Sequence, residues 1–278
     1  MAESVKEKRY KIGLALSGGG SRGFAHPGAI KAIEDMGLKP DVIAGTSAGA
    51  LAGAFYADGY TPEEIIQLFI GKEFKEFGEI QVPKMAIFGT DGFRRFLKRN
   101  LRAKNFEDLH IPLKVVTTNL DEGKSAIFEK GPIIDAVIAS CSIPIIFNPV
   151  LIDEINYVDG GIFMNFPVSP LRSIADKIIG VNVNPIVSQK YNKTILGIAE
   201  RSYHYMSRTN TLLDRRLCDV LVEMEDLIHF KTFDLVNSEK IFKIGYEHTQ
   251  QILTQAISKN IFPDLSYTGN KEKALVSS

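Results

Sequence analysis

Short apolar runs that end in glycine-rich turns and lead into helical patterns recur along this chain, and that rhythm leaves few folds open to it. Residues 11–16 (KIGLAL) suit a buried strand, which Ser17 and the glycines Gly18, Gly19 and Gly20 close in a tight loop. Ile30, Ile33 and Met36 then recur at helical spacing before Gly37, a plausible stop. Residues 41–44 repeat the strand and 47–56 read as a small-residue helix. Thr61-Pro62-Glu63-Glu64 offers a capping box, with proline at the first position of a further helix.

The later chain keeps this style. Residues 91–101 read as a basic helix, 113–118 as a strand, 126–129 as its hairpin partner or neighbour, and 132–140 as a helix opened by Pro132. Residues 149–152 and 155–158 flank Asp153-Glu154 as a hairpin that runs into the sharp turn Asp159-Gly160-Gly161. A strand over 175–183, a long helix over 195–217, a strand over 220–224 and an amphipathic helix over 239–257 follow. The alternation predicts a three-layer α/β fold, a mostly parallel central sheet with helices on both faces. No repeat and no Pro/Gly/Ser linker divides it, so residues 1–278 are expected to form a single domain with its core over about 11–265 and flexible ends. Residues 74–88, irregular and dotted with aromatics, read as a flap or as core.

Lys and Arg together number 33, as do Asp and Glu, so charge gives no reason to expect a nucleic-acid partner. The first ten residues are polar and charged, unlike a secretory leader, and the only cysteines, Cys141 and Cys218, lack metal-ligand neighbours; both features point to a cytoplasmic location with reduced thiols. The longest uncharged run, residues 42–57, is short and rich in small residues, so any membrane contact is expected to be peripheral.

Two glycine-bordered turns carry the chemical signal. Gly45-Thr46-Ser47-Ala48-Gly49 lies between a strand and a helix, the setting in which GxSxG forms a nucleophile elbow; its bland alternative is a helix start packed tightly on the sheet. Gly18, Gly20 and Gly23 match GxGxxG, which would let backbone amides cradle a nucleotide, with Asp41 at about the distance of a ribose ligand. The same amides could instead form an oxyanion hole for an ester attacked by Ser47. Arg22 would either hold this loop in shape or meet an anionic group. A serine needs a base, yet His26, His110, His204, His229 and His248 lie in no supporting motif. Asp159 is the better partner, because Gly160 and Gly161 let the chain turn and hold its carboxylate at a strand end; an Asx-turn is the plain alternative.

With these residues in place, the chain resembles the patatin-like phospholipase family: the GGGSRG loop, the GTSAG elbow and the DGG turn occur in that family's order. Phe24-Ala25-His26-Pro27-Gly28, Ala139-Ser140 with Pro144, and Asn165 with Pro167 extend the likeness across about residues 11–183. The resemblance implies a Ser47–Asp159 dyad, an oxyanion hole from Gly18, Gly19 and Gly20, and hydrolysis of lipid esters, with no metal or cofactor. The rival reading is a nucleotide-binding or regulatory module that uses residues 18–23 without hydrolysis.

Overall fold

The structure, a computed structural model, describes residues 9–72, 77, 86–184, 193–232 and 235–263. Its spine is an eight-stranded sheet. β1 (Tyr10–Leu16) pairs in parallel with β2 (Val42–Thr46) on one side and β7 (Ala175–Asn182) on the other. β3 (Leu113–Asn119) and β8 (Val220–Glu223) extend the parallel order outward. Beyond β3 the sense changes. β4 (Lys124–Phe128) and β6 (Ile155–Asp159) both run antiparallel to β3, and β5 (Val150–Ile152) runs antiparallel to β6. The sheet is thus mixed, parallel across five strands with an antiparallel margin. The four residues between β3 and β4 are too few for the crossover that parallel pairing needs.

Alternation along each strand sorts side chains into two layers. Ile12, Leu14 and Leu16 of β1 and Ile43 of β2 enter the larger core. There they meet α1 (Ala25–Asp35), α2 (Ala48–Ala57), α3 (Pro62–Gln67), α4 (Asp91–Asn100), α5 (Ile133–Ser140) and α9 (Ser238–Ser258). Ala15, Val42 and Ala44 point the other way, into a thinner core closed by Phe166, Val168 and Leu171, the last in α6 (Ser169–Arg172). The helices on the larger face are held close: a side chain at Gly28 would strike the Phe242 carbonyl, and one at Gly245 the Ala25 carbonyl, so α1 and α9 cross backbone to backbone.

The single helix expected over 195–217 is two. α7 (Ile195–Thr209) and α8 (Thr211–Arg215) meet at Asn210, whose amide nitrogen donates to the carbonyls of Gly161 and Ile162 at 2.9 and 3.1 Å. The helix breaks where its side chain is required by a distant turn. Among the described residues no helix is long and apolar enough to cross a membrane. The stretch 74–88, expected as a flap or as core, lies outside the described residues except for Phe77 and residues 86–88.

Candidate active site

The glycine loop and the serine elbow both follow the carboxyl ends of parallel strands, the edge where open α/β sheets bind ligands. Ser47 joins β2 to α2 with φ 53° and ψ −121°, a left-handed conformation that costs a non-glycine residue about 1–3 kcal/mol. Its surroundings enforce it. The Ser47 amide donates to Ser140 Oγ at 2.8 Å, and that hydroxyl donates to the Val116 carbonyl at 2.6 Å. A side chain at Gly45 would meet the Gly49 carbonyl at 2.5 Å, and one at Gly49 would run into the Leu16 carbonyl, so only glycine fits either side of the elbow. Ser47 thereby sits at the amino end of α2, where the helix dipole favours negative charge.

The loop after β1 passes directly over this serine: a Cβ at Gly18 would lie 3.2 Å from Ser47 Cβ. Its three amides are not equivalent. Gly18 donates its N–H to the Asn165 carbonyl at 2.9 Å, which removes it from the expected set of oxyanion donors. Gly19 and Gly20 have no acceptor for their amides among the described residues, and Gly20 holds φ +59° where a side chain would collide with the Thr232 carbonyl. Gly23 lies against Ala48, packing the loop onto α2. Arg22 is buried, donating from Nε to the Phe230 carbonyl at 3.2 Å and from Nη1 to Asn184 Oδ1 at 3.3 Å, so it braces the loop from behind.

Asp159 ends β6 with its carboxylate fully buried. Oδ1 accepts the Gly161 amide at 2.8 Å, the Asx-turn anticipated from the sequence, and Gly160 packs on the Val116 carbonyl. Burial pushes the carboxyl pKa up to about 6, offset by interactions with the Ser47 hydroxyl, the Gly161 amide and the Tyr203 hydroxyl. The two hydroxyls are near enough to favour the anion, yet neither is aligned with Oδ2 as a full hydrogen bond.

Tyr203 and Asn210 escaped the sequence reading. Tyr203 sits on α7 with its ring against Ile143, Ile146 and Phe147 and its hydroxyl beside Gly161 and Asp159. Asn210 also accepts the Asn165 amide at 2.9 Å, so one side chain ties the DGG turn to the segment that holds Gly18. An asparagine inside a helical pattern was the one available signal for it.

The histidines are engaged elsewhere. His26 is buried with Nε2 on the Ser17 carbonyl at 2.8 Å, and burial lowers its pKa to about 4. His204 bonds Thr232 at 3.0 Å, His248 bonds Asp226 at 3.0 Å, His110 lies by Gly59, and His229 is exposed. Burial pushes the Cys141 thiol well above its usual range and that of Cys218 up to about 12, so both stay protonated. Asp41 accepts the Ile12 amide at 2.9 Å, at the opposite end of β1 from the glycine loop, which leaves the nucleotide reading without its ribose ligand.

Beside Ser47 opens an apolar cavity of about 140 Å³, whose walls include Leu51, Ala52, Ile65, Phe69, Phe77 and Phe93. A strained serine, a buried carboxylate, two unbonded amides and an apolar pocket thus come together at one edge of an α/β sheet, where ligand sites of this architecture form. The patatin-like phospholipase family model matches residues 14–172, more than half of the sequence, and the chain belongs to that family. The lysophospholipase NTE1 of Kluyveromyces lactis is 26% identical over 289 residues, covering 92% of this chain and 20% of the relative. That of Candida albicans is 25% identical, covering 94% of this chain and 21% of the relative. The chain thus spans about a fifth of these lysophospholipases, whereas it spans 98% of a 28% identical protein from Acanthamoeba polyphaga mimivirus. VipD from Legionella pneumophila shares the fold, with TM-score 0.62 and 15% identity over 92% of this chain and 72% of that one.

Proposed function

We propose that the protein hydrolyses carboxylic esters of lipids, of the phospholipid or lysophospholipid type, through a covalent acyl-enzyme. Ser47 Oγ attacks the ester carbonyl while Asp159 accepts its proton, and the amides of Gly19 and Gly20 hold the oxygen that becomes negative. The protonated carboxyl then gives its proton to the departing alcohol. Water enters, loses a proton to Asp159 as its oxygen attacks the acyl carbon, and Asp159 returns that proton to Ser47 Oγ as the fatty acid leaves.

The observation that carries this reading is the buried Asp159 carboxyl, raised to about 6 and in contact with the Ser47 hydroxyl. A pKa in that range makes an aspartate a usable base at neutral pH, where an ordinary one near 3.9 is weak. The apolar cavity supports an acyl chain as the ligand. Peripheral contact with a lipid surface, from a cytoplasmic location, belongs to the same reading. Its test is labelling by a fluorophosphonate with mapping of the modified residue: wild type should carry the label on Ser47, and Ser47→Ala should lose both label and ester hydrolysis. A label on another residue would refute the assignment.

A further inference from the structure

One wall of the cavity is graduated. α2 begins directly after the nucleophile, and its Ala48, Leu51 and Ala52 face the cavity. Phe55, the next residue along that face, is fully buried in the core, its ring edge-on to Tyr60, Phe69 and Phe96. A chain leaving an ester on Ser47 and following α2 therefore passes Ala52 and meets a wall of rings. Phe69 and Phe77 stack at 6.0 Å between centroids, and Phe93 meets Phe77 edge-on at 6.2 Å.

A helix advances about 1.5 Å per residue. Extended hydrocarbon, with C–C bonds near 1.5 Å, advances about 1.25 Å per carbon. The stretch of α2 from Ser47 to Ala52 therefore matches about six carbons, with a few more before the rings. Volume gives a second measure. A dry apolar cavity of about 150 Å³ takes up a benzene ring, so this one of about 140 Å³ holds about six carbon-sized groups.

We propose that this site selects acyl chains of medium length, about six to eight carbons by both measures, and that Ala52 is the specificity-determining residue that keeps the far half of the cavity open. Each methylene buried there is worth about fourfold in binding. Carbons beyond the ring wall find no such burial, so the gain stops. A larger side chain at 52 closes the cavity nearer to Ser47.

The test compares kcat/KM for p-nitrophenyl butyrate, octanoate, decanoate and palmitate on wild type, Ala52→Leu, Ala52→Phe and Phe93→Leu. Wild type should climb to octanoate and gain nothing further at decanoate. Either substitution at Ala52 should cut the decanoate-to-butyrate ratio at least tenfold, and Phe93→Leu should move the optimum to longer chains. A wild-type profile still rising at palmitate, or an unchanged ratio in both Ala52 variants, overturns the proposal. Because it rests on the hydrolase reading, the same series is run as free fatty acids with binding read from the rise in Tm. Length-selective binding lost in Ala52→Phe, without ester turnover, would uphold the ruler and refute the hydrolase. Turnover indifferent to chain length would do the reverse.

Discussion

Asp159 answers two opposed demands. Buried as it is, its carboxyl pKa is raised from 3.8 to about 6, so between those pH values the folded protein keeps a proton that the unfolded chain has released. Stability therefore falls as pH rises through that window, and above it the cost is about 3 kcal/mol at roughly 1.4 kcal/mol per pKa unit. Asp159→Asn removes the buried charge. The variant should be more stable than wild type by on the order of 2–3 kcal/mol at pH 8, with the difference vanishing below pH 4 in urea denaturation. Its ester hydrolysis should fall by about 100-fold or more. A variant less stable than wild type at pH 8 would mean that the site stabilises the anion outright. Tyr203 acts on the same carboxylate, since its hydroxyl lowers the pKa that burial raises. Tyr203→Phe should shift the acid limb of the kcat/KM profile, expected near pH 6 in wild type, to higher pH. An unmoved limb would leave Tyr203 a packing residue.

At the scale of elements, the junction of α7 and α8 matters because Asn210 interrupts the helix to hold the DGG turn. Asn210→Ala should lower kcat roughly 10-fold with little change in KM, while the far-ultraviolet helix signal stays the same or rises. Lost helix signal would instead indicate a folding defect. This junction also marks the limit of what sequence conveys. The elbow and the two glycine turns were legible because a glycine records, in its own identity, that backbone passes close: Gly49 under the Leu16 carbonyl is such a record. An amide already spent on a distant acceptor leaves no such trace. Nothing in the residue type of Gly18 distinguishes it from Gly19, yet Asn165, far along the chain, occupies its N–H. Tyr203 is silent for the same reason, its meaning set wholly by what lies across from α7. The antiparallel margin was half visible, in hairpins whose short loops forbid a crossover.

For the molecule as a whole, the charge balance of 33 basic and 33 acidic residues bears on how it would meet lipid. The exposed described side chains of α7 are Ile195, Ile198, Ser202, Tyr205, Met206 and Thr209, and α8 adds Leu212 and Leu213. None is charged. Adsorption to vesicles should therefore rest on apolar contact and persist at high salt, and Ile198→Asp with Met206→Glu should weaken it several-fold in co-sedimentation. Binding that salt abolishes would point to a charged patch instead. The backbone crossing of α1 and α9 has a consequence for biosynthesis. α1 grows directly out of the loop that carries the free amides, and its brace, which also touches that loop, ends only at Ser258. A ribosome that has already released Ser47 and Asp159 into solution still has most of a hundred codons to read before that loop gains its support, so both side chains wait on α9 for a braced loop.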